Sequence, residues 1–203
     1  RYLRVDERAL ADAKLKLVAP GFALAPRCNP VTVAFVMPCG LGDLKLQNDR
    51  ALARGLEDFC SRVRRVLAQV DGYECQEQDG GFMLAFAEPG RAVNFAVQLG
   101  PALEGAVLGA KYGAMTGEAT SLEPHASTGR LDVFGPLVNR AARIGKACAK
   151  GQFCVDEATA RSAPPGVPLT PLGRHTFKGI QDPLDVVQIG NDTFPPIRSL
   201  GPP

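Results

Sequence analysis

The stretch "LDVFGPLVNRAARIGKA", residues 131–147, decides how this chain is read. A helix is expected to begin at Pro136, since proline is accepted in a first helical turn, where its missing N–H has no partner to lose. Asn139 and Arg143 then lie just over one turn apart, so an amide and a guanidinium project from one face. Taken alone, that spacing is equally met by a polar surface residue and a solvated arginine. The surrounding chain has to supply the chemical reason.

Upstream, "VTVAFVM" (31–37) is apolar and β-branched and suits a central strand, which "PCGLGD" (38–43) is expected to break. From Asn48 to Val70 the apolar residues Leu52, Leu56, Phe59, Val63, Leu67 and Val70 step by four and three. That spacing predicts an amphipathic helix, capped by Asn48 or Asp49. "GYECQEQDGGFMLAF" (72–86) reads as two strands around an Asp-Gly-Gly turn. "GRAVNFAVQLGPALE" (90–104) is a second helix and "AKYGAMTGEAT" (110–120) another strand. The helix from Pro136 is expected to run to about residue 149.

"GQFCVD" (151–156) is a strand, "DEATARSA" (156–163) a short helix, and residues 169–189 hold a final pair of strands. Residues 1–28 form a connector with a short helix over "VDERALADAKLKLV" (5–18), residues 29–190 the folded domain, and 191–203 an extended Pro-rich tail. The order is βαββαβ, a ferredoxin-like core, with an added C-terminal αββ. The fold class is α+β, with helices expected on one face of a mainly antiparallel sheet.

The chain has 203 residues, 45% hydrophobic and 22% charged, which is ordinary for a globular domain. Its net charge of +2 is too small to argue for nucleic acid or a membrane surface as the partner. No apolar run is long enough to span a bilayer and no signal peptide is evident, so an intracellular, cytoplasmic domain is expected. The start at Arg1 suggests a piece of a larger protein, through which any membrane attachment would come. Six cysteines (28, 39, 60, 75, 148 and 154) match neither a CxxC metal site nor a small disulfide framework. Reduced, mostly buried thiols are expected. His125 and His175 stand far apart, without a cluster of ligands around either. "GLGD" lacks the Gly-Lys-Ser/Thr ending of a P-loop.

"NPVTVAFVM", "GYECQEQDGGFMLAF", "GAMTG", "TGRLDVFGPLVNRAARI" and "PLGRHTFKGIQDPLDVVQI" resemble, in that order, the catalytic domain of class III nucleotidyl cyclases, the adenylyl and guanylyl cyclases. The resemblance covers about residues 29–190. It implies attack of a ribose 3′-oxygen on the α-phosphorus of ATP or GTP, giving a cyclic nucleotide and pyrophosphate, a phosphorus–oxygen lyase reaction. Such displacements depend on positioning and on neutralising spread negative charge. In this family two sites form across a head-to-tail dimer. One subunit gives two metal-binding Asp residues and a phosphate loop; the other gives base-recognition residues, an Asn and an Arg.

By resemblance, Asn139 would orient the ribose and Arg143 would stabilise charge on the reacting phosphate. Asp132 matches the position that accepts from an adenine amino group. Gln76 stands where adenylyl cyclases keep Lys and guanylyl cyclases Glu; as an amide it can face either purine. Lys178, in "FKGI", falls where a Lys reaches the triphosphate.

The metal half departs from the family pattern. Met37 stands at the first metal Asp position, and a thioether does not hold a hard ion such as Mg2+. Pro38 removes one N–H from the phosphate loop. Gly80 stands at the second metal Asp position, with Asp79 one step early, a displacement that normally turns a strand side chain to the other face. Asp43 falls six residues late.

Two readings follow. In one, the chain is the Asn/Arg-donating half of a heterodimeric cyclase, with Mg2+ or Mn2+ only where the partner supplies the carboxylates. In the other, it is a catalytically inactive pseudo-cyclase, a regulatory or scaffold dimerisation module. A homodimer active through Asp79 or Asp43 ranks behind both. Restoring Met37→Asp, Pro38→Ile and Gly80→Asp together is expected to create metal-dependent binding of a nucleoside triphosphate.

Overall fold

Strand β1 (Val31–Cys39) is the centre of the molecule, paired antiparallel on both sides, to β3 (Gly81–Phe86) and β4 (Gly109–Gly117). The computed structural model describes residues 25–125 and 129–198. The expected helix over 5–18 and the end of the tail lie outside them. β1 runs on through Pro38, past the point where "PCGLGD" was expected to break it, and the chain turns at Gly40. Proline is tolerated there because pairing with β3 ends at Val36.

After Gly40 come a short helix α1 (Leu41–Gln47), which the sequence reading missed, and the long α2 (Asp49–Gln69). Asn48 caps α2, its Oδ1 accepting from Ala51 N at 2.8 Å. Then follow β2 (Tyr73–Gln78), β3, α3 (Pro89–Ala102) and β4. The strand order β2-β3-β1-β4 is the ferredoxin-like core.

The addition is fuller than αββ. A hairpin of β5 (Ser121–Pro124) and β6 (Leu131–Phe134) precedes α4 (Pro136–Ala147), β7 (Phe153–Asp156), the one-turn α5 (Glu157–Ala160), β8 (Leu169–His175) and β9 (Leu184–Ile189). β7 joins β4 in parallel, and the sheet continues through β9 to β8 as a seven-stranded mixed sheet.

The expectation that helices cover one face is corrected. Ala34 and Val36 of β1 point into a core with Phe59 and Val63 of α2 and Phe95 and Leu99 of α3. Val31 and Val33 point the other way, into a cluster with Leu137 and Ala141 of α4. The physical reason was present in "VTVAFVM": apolar residues occupy both parities, and a strand apolar on both sides must be covered on both.

α4 lies very close to the sheet. A Cβ on Gly113 of β4 would stand 2.1 Å from Gly145 N of α4, so only a glycine lets the helix approach this far. All six cysteines are free thiols, and Cys75, Cys148 and Cys154 are buried as expected. Burial pushes the Cys75 thiol well above its ordinary value. No helix among the described residues is long and apolar enough to cross a membrane.

Candidate functional site

α4 presents the opening motif as expected. Asn139 is exposed and Arg143 half-buried, one turn apart on the helix. The helix is held at a fixed height by the Gly113–Gly145 approach and by Leu137, Ala141 and Ile144 beneath it. Nη2 of Arg143 lies 3.8 Å from where a Cβ on Gly179 would stand, beside the exposed Lys178. The turn carrying Lys178 is anchored by buried Phe177, which packs with Ile144 and Cys148, and by an Arg140–Asp182 ion pair at 3.6 Å. Thus Arg143 and Lys178, 35 residues apart in sequence, share one side of α4. Neither they nor Asn139 has a hydrogen-bond or ion-pair partner among the described residues.

A second pair forms at the other sheet edge. Asp132 on β6 is 2% exposed, while Gln76 on β2 is exposed. Gln76 Nε2 donates to Asp132 Oδ2, and Val133 N donates to Asp132 Oδ1 at 2.9 Å. Arg130 Nε donates to Glu74 O at 2.8 Å, tying β6 to β2 just beside them. The sequence named both residues but did not place them in contact.

The positions matched to metal ligands do not converge. Met37 lies on the α4 face, its Cε 3.4 Å from where a Cβ on Gly145 would stand. A Cβ on Gly80 would point to the opposite face, 2.7 Å from Leu56 Cδ2 and 3.3 Å from Pro38 Cγ. Asp79 and Gly80 are the two central residues of the β2–β3 turn, both with positive φ (52° and 79°), as in a type I′ hairpin. Asp79 is exposed there, and Asp43 is exposed in the first turn of α1. No group of three or more His, Cys, Asp or Glu that could hold a metal ion is found among the described residues. The residues present therefore do not fit the two-carboxylate metal site that the resemblance implies.

None of these residues lines the cavities of about 320 to 330 Å³ found among the described residues.

No family model matches the chain, and no curated protein matches it. Solved structures do. A Trypanosoma brucei adenylate cyclase superposes with TM-score 0.78 at 19% identity, over 87% of this chain and 98% of its own. The guanylate cyclase domain of RhGC from Catenaria anguillulae, solved with GTP, gives 0.70 at 15% identity, over 80% and 97%. The adenylyl cyclase CyaB from P. aeruginosa gives 0.67 at 17% identity, over 84% and 96%. The chain has the fold of the adenylyl and guanylyl cyclase catalytic domains, as its motifs implied.

Proposed function

We propose that this chain is a nucleotide cyclase domain acting as the Asn/Arg-donating half of a heterodimeric cyclase. The observation that carries this is the state of α4. Asn139 and Arg143 project from a rigidly seated helix beside Lys178, and none of the three is used by its own chain. Leaving a fixed guanidinium without an internal acceptor is what a site completed by a second chain requires. In this reading the partner is another cyclase domain and the ligand is ATP or GTP. Arg143 meets the charge on the reacting phosphate, Asn139 orients the ribose, and Gln76 with Asp132 faces the purine. Mg2+ or Mn2+ belongs to this reading only where the partner brings the carboxylates.

The test is a cyclase assay with manganese and ATP or GTP. The chain is run alone, then mixed with a cyclase domain that keeps both metal Asp residues but lacks the Asn and Arg. Product in the mixture alone, abolished by Arg143→Ala, is the expected result. No product from a demonstrated heterodimer would sink the catalytic reading.

A second reading is a pseudo-cyclase serving as a regulatory or scaffold dimerisation module. It is supported by Met37 packed against α4 and by the position of Gly80, where a Cβ would meet Leu56. The same assay separates the two.

A further inference from the structure

A cavity of about 330 Å³ lies between β8, β9 and the C-terminal strap of residues 191–197. The site residues assigned above do not line it. Two glutamines do: Gln152, just before β7, and Gln188 on β9, each 2% exposed. Phe194, Pro195 and Pro196 of the strap add flat apolar surface to the lining. Among the described residues the lining holds no lysine or arginine, and Asp192 is its one carboxylate.

The two amides are joined in series. Gln152 Oε1 accepts from Ala149 N at 2.9 Å, and Gln152 Nε2 donates to Gln188 Oε1 at 2.9 Å. Gln188 Nε2 donates in turn to Asp192 O at 2.8 Å and to Gly190 O at 3.5 Å. An amide nitrogen carries two hydrogens and an amide oxygen two lone pairs. Gln188 has used both hydrogens, whereas Gln152 has used one. Gln188 Oε1 has accepted one bond of two. A spare donor and a spare acceptor thus sit on neighbouring atoms 2.9 Å apart. Burying two amides where apolar side chains could pack costs free energy, which further hydrogen bonds would offset.

The frame around the pair is fixed. Its bond to Gln188 holds the strap at Asp192, and Ile197, buried in one cluster with Ile144 and Cys148, holds the other end. Phe194 rests on Gly151, its Cε1 3.6 Å from where a Cβ would stand. Thr170 Oγ1 donates to Gly190 O at 2.9 Å, tying β8 to the start of the strap.

A donor beside an acceptor matches a cis-amide edge. The ligand's carbonyl would take the Gln152 N–H, and its own N–H would donate to Gln188 Oε1. A cavity of this size admits a small ring. A phosphate or carboxylate would meet no lysine or arginine in the lining. We propose that this cleft binds an uncharged aromatic ring with a cis-amide edge, a lactam or a primary carboxamide, held by Gln152 and Gln188 and stacked on Phe194. The proposal does not rest on the cyclase reading.

The experiment is a titration of the whole chain, labelled with nitrogen-15, with nicotinamide as the carboxamide and uracil as the lactam. Affinity and the side-chain amide signals of Gln152 and Gln188 are read by NMR. At least one of the two probes is expected to bind at millimolar concentration and to move both glutamine signals. N,N-dimethylnicotinamide lacks the N–H, and nicotinate replaces the amide with a charge. Where nicotinamide binds, each of these should bind roughly tenfold more weakly or not at all. Where uracil alone binds, 1,3-dimethyluracil is the matching control, and the site is assigned to lactams. Phe194→Ala, with an unchanged melting temperature, should weaken binding roughly fivefold through lost stacking. Binding of neither probe overturns the proposal. So does equal binding of the methylated control, an affinity unchanged in Phe194→Ala, or signal changes that leave both glutamines untouched. None of these readouts depends on cyclase product, so failure here and failure of the mixed assay are separate results.

Discussion

Gln76 donates a hydrogen bond from Nε2 to Oδ2 of Asp132, joining β2 to β6 across 56 residues of sequence. Asp132 is buried, and its other oxygen is already taken by Val133 N. Gln76→Ala removes the partner of a buried carboxylate oxygen. Because Gln76 itself is exposed, water can reach the gap, so the cost should fall near the low end, about 1 kcal/mol. Urea unfolding of the variant checks this. An unchanged midpoint would mean that water replaces the amide fully and that the pair has no structural weight.

The seat of α4 gives a sharper prediction. A methyl group on Gly113 would meet Gly145 N and the oxygen of Ala141 at 2.1 and 2.9 Å, both backbone atoms that cannot swing aside. Gly113→Ala should therefore cost about 3 kcal/mol or push α4 off the sheet. Displacing α4 moves Asn139 and Arg143 together. In the mixed cyclase assay activity should fall with the melting temperature, whereas Arg143→Ala should lose activity alone. A Gly113→Ala chain with wild-type stability would show that the helix rides higher than described.

Much of this is legible in the sequence alone. The α2 stripe, the Asp79–Gly80 turn and the Pro136 start are local patterns, and local patterns survive folding when tertiary packing agrees with them. The apolar parity of "VTVAFVM" even held the two-sided burial of β1, although the one-face expectation overlooked it. What escaped was short or long-range. α1 has one buried apolar residue, Leu44, in seven positions, too little periodicity to register. The Gln76–Asp132 and Gln152–Gln188 bonds depend on which strands lie side by side, and spacing carries no such information.

The triple substitution meets the same limit. From sequence, Met37→Asp, Pro38→Ile and Gly80→Asp should rebuild a metal site. In the structure, position 37 faces α4 while a side chain at position 80 faces Leu56 of α2. Gly80 also holds φ of +79°, which an aspartate adopts only with strain. Two carboxylates leaving opposite faces cannot share an ion. The expected outcome is now no magnesium-dependent gain in triphosphate binding by calorimetry, together with a loss of stability. A clear gain would mean that the hairpin changes register when Gly80 is replaced.

The last prediction concerns pH. Asp156 is buried at the start of α5, where Oδ1 accepts from Thr116 N at 3.1 Å, Thr159 N at 3.2 Å and Thr159 Oγ1 at 2.5 Å, and Oδ2 from Ala158 N at 3.3 Å. Burial pushes its carboxyl above the ordinary value of 3.8, and the donors only partly offset that. A raised acid binds its proton more tightly in the folded chain than in the unfolded one. Its contribution to stability is therefore complete below the unfolded value and is lost as pH rises through the folded one. Asp156→Asn cannot titrate and keeps an oxygen for three of the four donors. Urea unfolding between about pH 4 and pH 8 should show the wild type losing stability relative to the variant as pH rises. A difference that stays flat, or that grows in favour of the wild type, would mean that the hydrogen bonds outweigh burial and that Asp156 is held as a stabilised anion.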